Sequence, residues 1–151
     1  MQSYGVVPLK KEGTIWKVLL VRHVKGQHWG FPKGHKEKEE SSQEAALREL
    51  KEETGLSVKR FIRKKAITER YIPDACKAVA KKSDAYKTVY YYMAEVEGTL
   101  SLQVEEISEA RFVDLEEAES LATHAESKHL VKKVRRFFNP WWRRIRFFNS
   151  S

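Results

Sequence analysis

Between Ser41 and Gly55 both ends of a helix are written into the chain, and this stretch limits what the rest can become. Ser41 and Glu44 stand at capping-box spacing, and Gly55 occupies the position just past the last turn, where a left-handed residue is favoured. Ala46, Leu47 and Leu50 share one side at i, i+1 and i+4, a face expected to pack. Glu49, Glu52 and Glu53 gather on another side at i, i+3 and i+4, a face expected to carry charge.

What surrounds the helix has the composition of strands. Ser3 to Leu9 and Ile15 to Val24 are β-rich and separated by Lys10, Lys11, Glu12 and Gly13, a hairpin connection. Gln27 to His35 holds two glycines and a proline and reads as a short strand entering a turn. After the helix, Leu56 to Tyr71 gives one or two strands and Tyr86 to Val96 a strong one, with an irregular stretch between them. Thr99 to Val104 and Ala110 to Val113 are two short strands. Leu115 to Ala122 and Ala125 to Phe138 are helical, ended by Asn139 and Pro140. The order of strands, helix, strands and helices argues for an α/β fold, with a mixed central sheet and helices on both sides. At 151 residues the chain suits one domain, expected over 1–139, followed by a tail over 140–151 that packs on it.

Charge narrows the function only after it is located. Of the net +8, residues 126–151 contribute +7 (8 Lys+Arg against 1 Asp+Glu), so the body is nearly balanced and its motifs must be read instead. Cys76 is the only cysteine, which excludes an internal disulfide and a four-cysteine zinc site and fits a cytoplasmic setting. No apolar run approaches the ~18 residues of a membrane span, and Met1 to Leu9 has no leader pattern.

Three glutamates sharing a helix face repel one another unless cations neutralise them, and only Arg48 and Lys51 interleave. Such faces are commonly no more than solvated surface. Grouped carboxylate oxygens also suit a hard divalent cation such as magnesium, which retains waters or phosphate oxygens as further ligands. Phosphate chemistry at a metal is the expectation.

Gly34, Glu40 and the run Arg48-Glu49-Leu50-Lys51-Glu52-Glu53-Thr54-Gly55-Leu56 fill every defined position of a Nudix box, and the chain resembles that family. The resemblance implies an α/β/α sandwich. It also implies that Glu49, Glu52 and Glu53 are magnesium ligands, with the backbone carbonyl of Lys33 as a further one and manganese as a substitute ion. Arg48 would orient Glu49, its alternative being a surface pair with Glu44 or Glu52, and Glu40 would support the site. The segment His28-Trp29-Gly30-Phe31-Pro32-Lys33-Gly34-His35 resembles that of the animal-type asymmetric diadenosine tetraphosphate hydrolases. So does Lys87-Thr88-Val89-Tyr90, where Lys87 would contact phosphate and Tyr90 the substrate, the plainer reading of Lys87 being a strand-edge lysine. Aligning Arg111-Phe112-Val113 puts Glu106 at the family's additional carboxylate, a ligand or general base, with Glu105 and Glu109 as neighbours that could take the role. The subgroup has a tyrosine where Ala110 stands. Tyr71, Tyr86 or Tyr90 are then the candidates to stack on a base.

The resemblance thus implies a magnesium-dependent hydrolase that cleaves diadenosine tetraphosphate asymmetrically to ATP and AMP. A broader pyrophosphatase for nucleoside triphosphates, nucleotide sugars or capped RNA is the alternative. A non-catalytic nucleic-acid or membrane-surface binding module on the same scaffold is the second. The tail mixes arginines with Trp141, Trp142, Phe147 and Phe148, a composition that suits an anionic membrane or single-stranded nucleic acid. Its plainer reading is packing: Leu130, Val131, Val134, Phe137 and Phe138 lie at helical spacing and bury the last helix, and the tryptophans fold back or form a dimer contact.

Overall fold

A computed structural model describes residues 1–73 and 86–138. Cys76, Asn139, Pro140 and the basic aromatic tail lie outside the described residues. The elements are β1 (Gln2–Glu12), β2 (Ile15–His23), β3 (His28–Gly30), β4 (Lys33–Gly34), α1 (Ser42–Thr54), β5 (Ser57–Phe61), β6 (Ile67–Tyr71), β7 (Lys87–Glu97), β8 (Ile107–Asp114), α2 (Leu115–Leu121) and α3 (Ala125–Phe138).

Two long strands hold the sheet together. β1 pairs antiparallel with β2 and β4, and its other edge runs parallel to β7, with Gln2 opposite Thr88 and Leu9 opposite Glu95. β7 in turn takes β5 and β6, and β2 takes β3 and β8, giving a mixed eight-stranded sheet. Because β1 is internal, Ser3 to Leu9 are buried without interruption, the continuous pattern of a strand covered on both faces.

Alternation then sorts side chains into two cores. Val7 and Leu9, with Val18, Leu20, Tyr91 and Met93, meet Ala118, Leu130, Val131 and Val134 of α2 and α3. Val6, Leu19, Val21 and Ala94 face the other way and meet Ala45, Ala46 and Leu50 of α1. The result is helix, sheet and helix in layers, the α/β/α arrangement expected. At the far end of α3, Phe138 stacks on Trp16 with ring centroids 5.1 Å apart, whereas Phe137, expected to pack, is 43% exposed. Among the described residues no helix is long and apolar enough to cross a membrane.

One expected strand is absent. Thr99 to Val104 runs as irregular chain because its amides serve α1 instead: Ser101 N–H donates to the Thr54 carbonyl at 2.8 Å and Gln103 N–H to the Glu53 carbonyl at 3.1 Å. These carbonyls belong to the last turn of α1 and have no partner within the helix. The segment that caps them cannot also join the sheet ladder. The following strand is correspondingly longer than expected, running the length of β8 beside β2.

Candidate active site

α1 is held as its sequence requires. Ser41 Oγ accepts from Glu44 N–H at 3.1 Å, Glu44 returns a bond to Ser41 N–H at 2.9 Å, and Gly55 closes the helix at φ +80°. So fixed, α1 aims its acidic residues at the end of the sheet where β1 and β7 begin and β2 and β6 finish. A cleft of about 660 Å³ opens there.

Of the three helix glutamates, Glu53 departs from the charged face and lies among the packed residues, 4% exposed. It stands three positions after Leu50 and seven after Ala46, which returns it to the apolar side of the wheel. Burial, and secondarily the neighbouring Glu49, push its carboxyl up to about 8, with Glu106 adding to this and Lys33 opposing it. Its Oε2 is buried with no hydrogen-bond partner. Glu49 is also raised, chiefly by burial, against the pull of Arg48. Gly34 faces Glu49 so closely that a Cβ there would fall on the Glu49 carboxyl group.

Arg48 gathers the other acids. Its guanidinium donates to Glu40 at 2.7 and 3.1 Å, to Glu49 at 3.0 Å, to Glu52 at 3.2 Å and to the His35 carbonyl at 2.8 Å. It thus makes both the bond to Glu49 and the pair with Glu52, while Glu44 is taken by the cap. Among the described residues no three acidic, histidine or cysteine side chains converge into a closed ion cage. Arg48 lies between Glu49 and Glu52, and the four carboxylates of Glu49, Glu52, Glu53 and Glu106 line an open cleft.

The capping segment after β7 carries Glu106 across from Glu53. Its amide donates to the Gln103 carbonyl and its carbonyl accepts from Val24 N–H, both at 2.9 Å, which pins the turn to the residue that follows β2. Glu106 lines the cleft, whereas Glu105 and Glu109 do not, and Glu109 is paired with Arg111 at 2.6 Å. Lys33 and Lys87 line it from β4 and β7. Lys33 is half-buried, and desolvation together with Lys87 lowers its ammonium below the usual lysine range.

Tyr90 is not among the cleft-lining residues. It is on the α1 side of β7, stacked on Tyr4 with centroids 5.6 Å apart, because alternation turns it away from Val89 and Tyr91. Tyr71, at the end of β6, is the tyrosine that lines the cleft, while Tyr86 lies under Arg70, 4.5 Å from ring centroid to guanidinium carbon.

Two groups escaped the sequence reading. Glu69 on β6 is 6% exposed, and burial, then Glu126, push its carboxyl up to about 7. Its position two residues from Ile67 on an alternating strand was the available sign that it points inward. The second group is a series of imidazoles: His23 and His28 stack at 4.7 Å, and His28 meets His124 at 5.0 Å. His23 Nε2 lies 3.2 Å from the Phe31 carbonyl, and burial, then His28, lower this ring to about 4, so it is neutral and donates that bond. His23 and His28 are opposite each other in the β2–β3 hairpin, but His124 is remote in sequence and its approach is a product of the fold.

The cleft is therefore lined by carboxylates, lysines and imidazoles together, and known proteins share this scaffold. The NUDIX domain model matches residues 1–134. The rat bis(5'-nucleosyl)-tetraphosphatase [asymmetrical] is 32% identical over 131 residues, 85% of this chain and 84% of its own. A crystal structure of a C. elegans Ap4A hydrolase binary complex superposes with a TM-score of 0.72 at 26% identity, covering 91% of this chain and 96% of that one. The NUDIX domain of Shewanella oneidensis NrtR, complexed with ADP ribose, has the same TM-score at 17% identity, with 92% of this chain and 88% of that one covered, a likeness of fold. With a complete box on a capped helix, an α/β/α sandwich around it and a family match across nearly the whole length, this chain belongs to the Nudix hydrolase family.

Proposed function

We propose that the protein is a magnesium-dependent hydrolase that cleaves diadenosine tetraphosphate asymmetrically to ATP and AMP. The observation that carries this reading is the make-up of the cleft, where carboxylates from α1 and the Glu106 turn share one lining with Lys33 and Lys87. A polyphosphate suits such a lining, since it needs divalent cations at the bond to be broken and fixed cations along the rest. The names borne by relatives at 32% and 26% identity support the choice of substrate.

The residues fit a magnesium ion. All the donors are oxygens, and the orphaned, buried Oε2 of Glu53 is an acceptor that a cation would satisfy. Glu49, Glu52, Glu53 and Glu106 would hold it, with the Lys33 carbonyl. Magnesium, when bound, screens phosphate charge and acidifies water. Arg48 keeps Glu49 in place and absorbs the repulsion of Glu40 and Glu52. Glu106, exposed on a turn whose backbone is held by Gln103 and Val24, accepts the proton of the attacking water as the new P–O bond forms and the bridging P–O bond breaks. Lys33 and Lys87 bind the phosphate oxygens, and Tyr71 offers its ring to a base in place of the tyrosine that Ala110 replaces. Glu53, whose carboxyl is pushed up to about 8, would give up its proton on serving as a ligand, so binding of the ion would release a proton.

Incubation with magnesium and diadenosine tetraphosphate, resolved by chromatography, tests the reading. Equal amounts of ATP and AMP are expected. Release of ADP alone excludes the asymmetric reaction. No cleavage, alongside efficient cleavage of a nucleotide sugar, a nucleoside triphosphate or capped RNA, transfers the site to that substrate.

A further inference from the structure

The connection between α2 and α3 is bolted to the outer edge of β3. Trp29 N–H donates to Thr123 Oγ1 at 2.8 Å, and the Trp29 carbonyl accepts from Thr123 N–H at 3.2 Å. One residue later, the His124 carbonyl accepts from Lys128 N–H at 3.0 Å and so begins α3. The backbone at His124 is fixed from both sides, by β3 on one and by the first turn of α3 on the other. What it positions is an imidazole, tilted 46° to His28 and lining both the cleft and the small recess behind it.

The place of His124 along the cleft follows from what lines it. Lys33 lines the cleft together with the α1 carboxylates and also lines the recess, which holds His28 and His124 and none of those carboxylates. Lys33 therefore stands between the α1 carboxylates and the pair of imidazoles, whose ring centroids are 5.0 Å apart. A short phosphate chain anchored at the carboxylates is met by Lys33, and a longer one continues toward the imidazoles. A half-buried imidazole beside a second one and a lysine, with Glu126 as the nearby acid, is a ready donor to phosphate oxygens.

We infer that His124 is a specificity-determining residue that contacts the phosphates remote from the α1 carboxylates and so makes the protein favour long phosphate chains, with Thr123 as its positioning residue. This rests on the reading of the cleft as a polyphosphate site.

The test compares the wild-type full chain with His124→Ala, His124→Gln and Thr123→Val. Calorimetric binding of inorganic tripolyphosphate and pyrophosphate with magnesium is set beside steady-state kinetics on diadenosine tetraphosphate. His124→Ala is expected to weaken tripolyphosphate about tenfold, the loss of one charge-assisted hydrogen bond, and pyrophosphate less than about twofold. KM for diadenosine tetraphosphate rises while kcat holds. His124→Gln, which keeps an N–H donor, recovers part of the loss, and Thr123→Val falls between wild type and His124→Ala with the same preference among anions. Equal weakening of both anions, or none, overturns the inference. If the wild type fails to cleave diadenosine tetraphosphate but His124→Ala still loses tripolyphosphate selectively, the proposed activity falls and the role of His124 stands. Cleavage without that selective loss has the opposite meaning.

Discussion

A carboxyl that is neutral at pH 7 in the free protein can be replaced by an amide with little disturbance, and Glu53 is such a group. Glu53→Gln is therefore expected to keep its circular-dichroism spectrum and metal-free Tm at pH 7, yet to lose about a thousandfold or more in turnover, because the amide cannot supply the ligand charge. The wild-type gain in Tm on adding magnesium should grow as pH rises toward 8, since the ion competes with the proton on Glu53, and this growth should vanish in the variant. Near-wild-type turnover of a folded Glu53→Gln protein at saturating magnesium removes Glu53 from the metal site. Glu69 obeys the same physics with a different readout. Its carboxyl is raised to about 7 in the fold, so the native state holds that proton more tightly than the unfolded chain does. The stability this contributes is complete below the unfolded value near 4.5 and is lost as pH rises through 7. Glu69→Gln, neutral throughout, should match the wild type near pH 4.5 and exceed it at pH 8, by up to about 3 kcal/mol. Urea midpoints at the two pH values decide it, and a variant less stable at pH 8 contradicts the sign.

At the scale of elements, α1 was legible to its caps because capping is local chemistry between residues three apart. Ser41→Ala, which deletes the acceptor for Glu44 N–H, is expected to cost about 1 kcal/mol and to lower Tm without changing the products of the reaction. A loss of turnover exceeding the loss of folded protein would mean that the cap also aims the acidic face. Where the reading of elements failed, the cause was a partner distant in the chain. Thr99 to Val104 has an acceptable strand composition, but Ser101 and Gln103 are drawn to the last carbonyls of α1. Tyr90 sits in a strand that was correctly located, and its register turns it toward Tyr4 instead of the cleft. The division of α1 into a packed and a charged face was too clean, because Glu53 follows Leu50 by three residues and shares its side. His124 had no local signal, since the two bonds that tie Thr123 to Trp29, far back in the chain, bring it to the site.

For the molecule as a whole, charge is unevenly divided, with the basic excess carried after residue 125, and every residue proposed for metal and phosphate chemistry lies before it. A chain ending after Asn139 should therefore retain turnover. Lost salt-sensitive binding to anionic vesicles or single-stranded RNA, at unchanged stability, would identify the tail as a contact device, and a fall in Tm would identify it as packing. Lost turnover at unchanged stability would place the tail at the active site. The parallel pairing of β1 with β7 has its own consequence, for the order in which the molecule comes into being. Leu9 waits for Glu95, so a nascent chain that has already finished α1 still holds an apolar strand with one edge unpaired. A fragment of residues 1–73 contains the entire box and is expected to show no cooperative melting and to aggregate, whereas the full chain melts in one transition. The glutamates are thus synthesised long before the scaffold that buries Glu53 and pins Glu106 can close, and hydrolytic capacity arrives only when β7 slots in beside the first strand.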